Sequence, residues 1–166
     1  MNRTARWSSV VVGALCLVGS AALPAVAAPN AEGVPLKNLA TGNCLNQVGD
    51  TDVELAKCST GSDDNRWQVV DTPNGTHQIK NVADSRCLGH AGKDDVKLYT
   101  CDASAAGQQW KLPSSGGGQQ IQSVANDECL SHIQGAEVGL LACANTSAQQ
   151  WNMQAGQSDE EDESDF

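Results

Sequence analysis

The sequence predicts one all-β domain built from three repeats of about 42 residues, on the strength of three observations. Cys44 and Cys58, Cys87 and Cys101, and Cys129 and Cys143 form three pairs, each 14 positions apart. The first cysteines lie 43 and then 42 residues apart, and Trp67, Trp110 and Trp151 follow the second cysteines by nine, nine and eight positions. The segments between these landmarks are short and alternate apolar with polar residues, the period of a half-buried strand. Chance does not produce that register.

The strands follow in chain order. Pro35-Leu36-Lys37-Asn38-Leu39-Ala40 matches His77-Gln78-Ile79-Lys80-Asn81-Val82-Ala83 and Gln120-Ile121-Gln122-Ser123-Val124-Ala125, and these open the three repeats. Cys44-Leu45, Cys87-Leu88 and Cys129-Leu130 start second strands, ended by turn residues such as Gly49-Asp50 and Gly92. Third strands are Val53-Glu54-Leu55-Ala56, Val96-Lys97-Leu98-Tyr99 and Val138-Gly139-Leu140-Leu141. Fourth strands begin at each Trp. Twelve strands result, and no segment has the pattern of an amphipathic helix. Thr72-Pro73-Asn74-Gly75 and Ser114-Ser115-Gly116-Gly117-Gly118 fall at the repeat joints and read as turns or loops.

With 166 residues the chain has room for one core. Arg3 and Arg6 precede an apolar run from Val10 to Val18, and Ala25-Val26-Ala27 supplies a small-x-small cleavage pattern. Residues 1–27 therefore read as a secretory signal peptide. Leu15 stands where lipoprotein cleavage needs a small residue, which argues against a lipidated Cys16. The run is too short for a membrane span, and a secreted, extracellular protein with no membrane association is the expectation.

Cleavage after Ala27 removes two Arg and no acid, leaving 8 basic and 20 acidic residues and a net charge of −12. Nucleic acid is disfavoured as a partner, because phosphate binding needs a basic patch. Six of the acids crowd into residues 159–166. Residues 28–157 are thus expected to form the domain, followed at 158–166 by a disordered acidic tail that serves solubility or captures a basic partner or cation.

The repeated Cys-Leu, the Val-x-Leu before each second cysteine, and Gln108-Gln109-Trp110 with Gln149-Gln150-Trp151 carry a family resemblance, with Asn65-Arg66-Trp67 as a variant copy. Over residues 34–155 the chain resembles the ricin-B-type lectins, the Gln-x-Trp repeat family. The resemblance implies a β-trefoil, three repeats with four strands each. Trp67, Trp110 and Trp151 are expected to meet in its core. The threefold spacing predicts disulfides Cys44 to Cys58, Cys87 to Cys101 and Cys129 to Cys143. No Cys or His spacing of a zinc site is present, and no metal or cofactor is expected.

Lectins of this kind bind one sugar per repeat in a shallow pocket. The resemblance places an Asp two residues after the first cysteine, an aromatic platform two before the second, and an Asn just before the Gln of Gln-x-Trp. The polar groups take sugar hydroxyls and the ring takes the sugar's apolar face. Repeat one has Asn46 and Asp64 but Ala56 as platform. Repeat two has the platform, Tyr99, while Gly89 and Gly107 replace both polar residues, leaving Gln108 and His90 as polar partners. Repeat three, with Ser131, Leu141 and Ala148, keeps none of the three functions. Tyr99 is the single tyrosine of the chain, and two readings stay open: sugar platform, or cover for the barrel wall.

Other chemistry is weaker. His90 and His132 are symmetry equivalents three residues after a first cysteine, and both read as exposed loop histidines; His77 opens a strand. Asp63-Asp64, Asp94-Asp95 and Asp127-Glu128 repeat beside predicted turns, where solvated acids are the default over a glycosidase pair. Asn74-Gly75-Thr76 and Asn145-Thr146-Ser147 fit glycosylation sequons. Together these readings predict a monomeric, non-catalytic lectin-like protein with a glycan or polysaccharide as partner and weak or altered specificity. The alternative is a protein-binding trefoil, such as an enzyme inhibitor or toxin component.

Overall fold

The computed structural model describes residues 32–92 and 95–153; the expected signal peptide at 1–27, the acidic tail at 158–166 and Asp94 lie outside them. Repeat one comprises β1 (Val34–Pro35), β2 (Lys37–Asn38), β3 (Cys44–Val48), β4 (Asp52–Ala56) and β5 (Arg66–Asp71). Repeat two contributes β6 (His77–Asn81), β7 (Cys87–His90), β8 (Val96–Tyr99) and β9 (Trp110–Lys111). Two joint strands, β10 (Ser114–Ser115) and β11 (Gly118–Gln119), lead into β12 (Gln122–Ser123), β13 (Glu128–His132), β14 (Val138–Ala142) and β15 (Trp151–Asn152). Every strand expected from the sequence is present.

The two middle strands of each repeat form a hairpin, with Leu45 opposite Leu55, Leu88 opposite Leu98 and Leu130 opposite Leu140. The fourth strand of each repeat pairs with the first strand of the next. Trp67 faces Asn81, Trp110 faces Ser123, and Trp151 returns to Asn38, which closes the barrel and completes the β-trefoil. Closure leaves the barrel strands without free edges.

The core has the same threefold order. Its fifteen buried residues are five sets of equivalents: Leu36, Ile79 and Ile121; Leu45, Leu88 and Leu130; Val53, Val96 and Val138; Leu55, Leu98 and Leu140; and the three Trp. Each Trp is fully buried, and each indole N–H donates to the carbonyl of its own repeat's Cys-Leu leucine: Trp67 to Leu45 at 2.9 Å, Trp110 to Leu88 at 3.0 Å, Trp151 to Leu130 at 3.1 Å. A buried indole needs such an acceptor, because an unpaired N–H is costly to desolvate. Disulfides join Cys44 to Cys58, Cys87 to Cys101 and Cys129 to Cys143, all within a repeat.

Two local features refine the sequence reading. The stretch from Ser114 to Gly118, expected as a turn or loop, is a hairpin turn in which Ser114 pairs with Gln119 and Ser115 with Gly118. Gly116 and Gly117 sit between them at φ of 54° and 99°, left-handed conformations that a two-residue hairpin turn requires and glycine supplies without strain. Short 3-10 turns also precede each Trp, at Asp63–Asn65, Ala106–Gln108 and Ser147–Gln149. They aim the Gln of Gln-x-Trp, or its Asn65 equivalent, inward.

Candidate functional site

In repeat two the β7–β8 hairpin sets Tyr99 opposite Cys87 and Lys97 opposite Gly89, all on the face turned away from Leu88 and Leu98. Tyr99 is half-buried there, and its hydroxyl donates to Asp95 Oδ2 at 3.3 Å. Asp95 Oδ1 in turn accepts from Lys97 Nζ at 2.8 Å. The ammonium of Lys97 holds the Asp95 carboxyl below its usual range, while burial pushes the Tyr99 hydroxyl up. Ring, carboxylate and ammonium thus form one connected outer patch.

The two glycines of this repeat have a packing reason. A Cβ at Gly89 would lie 2.8 Å from Gln108 Cγ and 3.0 Å from Tyr99 Cδ2, and one at Gly107 would lie 2.5 Å from the His90 carbonyl oxygen. The absent side chains let the tyrosine ring, Gln108 and the end of β7 close on one another. The space that an Asp at 89 would need is filled.

Gln108 and His90 stand beside this patch but are engaged in holding the fold. Gln108 Nε2 donates to Thr100 O at 3.0 Å and its Oε1 accepts from Asp102 N at 2.9 Å, clamping the backbone on both sides of Cys101. Gln149 does the same in repeat three with Ala142 O at 3.0 Å and Ala144 N at 2.6 Å, and the shorter Asn65 reaches Ser59 O at 3.1 Å. His90 is not the exposed loop residue expected from the sequence. It ends β7, packs its ring at 5.9 Å from that of Trp110, and bonds Ser123 Oγ through Nε2 at 2.7 Å. Burial lowers its pKa below 6.5.

The other two repeats lack a ring at this place. In repeat one Asn46 is buried with its Nδ2 donating back to Cys44 O at 2.8 Å, and Ala56 is exposed. Asp64 is exposed in the 3-10 turn, accepting from Ser62 Oγ at 3.1 Å through its carboxylate and from Asn81 Nδ2 at 3.0 Å through its main-chain oxygen. Ser131 repeats the inward bond of Asn46, to Cys129 O at 2.9 Å, and Leu141 stands 49% exposed where Tyr99 stands in repeat two.

The paired acids hold local contacts: Asp63 with Arg66 at 2.6 Å and Asp127 with Lys111 at 3.0 Å. His77 bonds Asp71 at 2.9 Å and His132 bonds Gly135 O at 3.1 Å. Two depressions of about 280 Å³ lie elsewhere, one at the barrel end between Val34, Val69, His77, Leu112, Gln119 and Met153, the other beside β11 and β15. The sequence reading passed over Asp95 and Lys97 as parts of the Tyr99 patch. The signal was available for Lys97, since two residues apart on a strand share a face.

The profile of the ricin-type beta-trefoil lectin domain matches residues 75–160, and that of the cytolethal distending toxin A/C domain matches residues 20–96. No curated protein matches the chain. Among solved structures, the designed 3-fold symmetric protein ThreeFoil is 20% identical with a TM-score of 0.64, covering 72% of this chain and 96% of its own. SeviL, solved bound to the asialo-GM1 saccharide, is 18% identical with a TM-score of 0.62 over 74% of this chain and 97% of its own. The hemolytic lectin CEL-III is 22% identical with a TM-score of 0.60 over 75% of this chain and 31% of its own. Threefold repeat, closed barrel and Gln-x-Trp turns agree with the profile match, and the chain belongs to the ricin-type β-trefoil lectin domain family.

Proposed function

We propose that this protein is secreted and acts as a non-catalytic glycan-binding protein, with its working pocket in repeat two and Tyr99 as the platform. One observation carries the reading. Tyr99 is the chain's single tyrosine, and it lies half-exposed on the outer face of the hairpin at the place where the family stacks a sugar. In repeat one Asp64 is exposed while Asn46 is buried against Cys44 O, which leaves that repeat a ringless and weaker candidate, and repeat three is silent. His90 and Gln108 support the Tyr99 pocket from behind.

One ring without a second aromatic contributes about 0.5 to 1.5 kcal/mol beyond area burial. Affinity for a simple sugar is therefore millimolar to high micromolar, and useful avidity comes from multivalent glycans. A glycan array on the mature protein, followed by NMR titration of Tyr99→Ala, tests this. Binding lost in the variant with an unchanged fold supports the pocket; binding retained refutes it.

A second reading, a toxin component that contacts a protein, has support in the toxin A/C profile over residues 20–96 and in exposed Val48, Ile133 and Leu141 on the hairpins of repeats one and three. Silence across a broad glycan array would favour it.

A further inference from the structure

We infer that Asp95, clamped by Lys97, is the polar half of the repeat-two pocket, and that the pocket takes a neutral pyranose lying on Tyr99 with two adjacent hydroxyls on the Asp95–Lys97 pair. The inference rests on the Tyr99 reading and names which groups select the sugar.

The first argument is exclusion. The position from which the family's carboxylate would reach the sugar is Gly89, and any side chain there runs into Gln108 and the Tyr99 ring. Ring and family carboxylate cannot share this hairpin as it is packed. A pocket with this platform must find its charged acceptor elsewhere.

The second argument is placement. Asp95 approaches the ring from its hydroxyl edge, 3.3 Å from the phenol oxygen, and is fixed there by the 2.8 Å bond to Lys97. A carboxylate offers about four acceptor sites and an ammonium three donors. Tyr99 and Lys97 occupy two of the former, and Asp95 one of the latter. Asp95 and Lys97 keep 43% and 45% of their side-chain surface open, so acceptors and donors remain side by side. Adjacent sugar hydroxyls each donate and accept, and match such a pair.

The third argument is charge. Asp52 lies opposite Lys97 on the neighbouring strand β4, so two carboxylates flank one ammonium. Surplus negative charge on a protein of net charge −10 opposes an acidic sugar. The equivalents of Asp95 are Asp52 and Glu137, but Ala56 and Leu141 stand at their platforms. Repeat two alone brings acid and ring together.

The test titrates the methyl glycosides of galactose, glucose, mannose and xylose, with glucuronate as the acidic control, against the mature chain by NMR. At least one neutral glycoside binds the parent, and glucuronate binds more weakly. Asp95→Ala, at a half-exposed position before β8, keeps the fold by circular dichroism and weakens that binding at least fivefold. Glu137→Gln, at the equivalent position of repeat three, changes it less than twofold, and Tyr99→Ala abolishes it. Parent-like binding by Asp95→Ala together with loss in Tyr99→Ala overturns the Asp95 assignment and leaves the platform standing. Parent-like binding by Tyr99→Ala, or no binding of any glycoside by the parent, overturns both. Tighter binding of glucuronate overturns the preference for a neutral sugar.

Discussion

His90 Nε2 and Ser123 Oγ lie 2.7 Å apart across the seam between repeats two and three, where the other two seams carry an asparagine. Asn81 Nδ2 donates to Asp64 O at 3.0 Å and Asn38 Nδ2 to Ala148 O at 2.9 Å, each reaching the residue before a Gln-x-Trp or its equivalent. Serine is too short to repeat that reach. The imidazole of His90 instead enters from the neighbouring repeat and supplies the partner for the buried hydroxyl. Gln47, its equivalent, bridges the preceding seam to Asp84 Oδ2 at 3.1 Å.

The seam makes stability depend on acid. Burial lowers the pKa of His90 below 6.5, so the unfolded chain takes up a proton at pH values where the folded chain does not. The stabilisation is fully present above about pH 6.5 and declines as pH falls toward the folded-state value. His90→Gln, which places at this seam the residue native to position 47, should remove that part of the decline. Urea midpoints at pH 7.5, 6.0 and 5.0 for parent and variant check it; parallel declines would show that His90 is not the group behind the acid sensitivity.

Gly89→Ala should damage the pocket without unfolding the domain. The new methyl meets Gln108 Cγ at 2.8 Å and Tyr99 Cδ2 at 3.0 Å, and both are side chains able to swing away. A cost of about 1 to 3 kcal/mol is expected for overpacking. Tyr99 is the sole tyrosine, so shifts of its ring resonances report the displacement directly. Unchanged ring resonances would show that the hairpin absorbs the methyl in another way.

Replacing Cys129 and Cys143 together by Ser should cost about 3 kcal/mol, the chain-entropy value for a loop of this size. The same double change in repeat one or two should cost a similar amount, because all three bridges span 14 positions. Denaturant unfolding of the three variants measures it. A much larger loss in one repeat would reveal a bridge that also supports a seam.

Spacing made most of the fold legible. Cys, Leu, Val and Trp occur in register in every copy, and a residue that recurs in three lobes has one environment to satisfy. What repeats less faithfully was hidden. Both joints turn as hairpins, but the Gly116-Gly117 turn of the Ser114–Gln119 hairpin has no counterpart at the Thr72–Thr76 joint, and its glycines read equally well as a loop. His90 is a loop-like polar residue until its partner is known, and Ser123 lies 33 residues away on another repeat. The outward placement of Tyr99 followed from its place in the motif. The place of Asp95 beside the ring did not, because Asp95 lies just before β8 begins, where strand alternation no longer sets the face of a side chain.

The bridges within repeats also bear on how the chain acquires them. Six thiols allow 15 complete pairings, and every native partner is the next cysteine within its own repeat. Closing a short loop loses less entropy than closing a long one. Oxidation of the still-disordered chain is therefore biased toward the native set, by about 0.6 kcal/mol for each doubling of loop length avoided. Each lobe is sealed locally, by a bridge that ties no two repeats together.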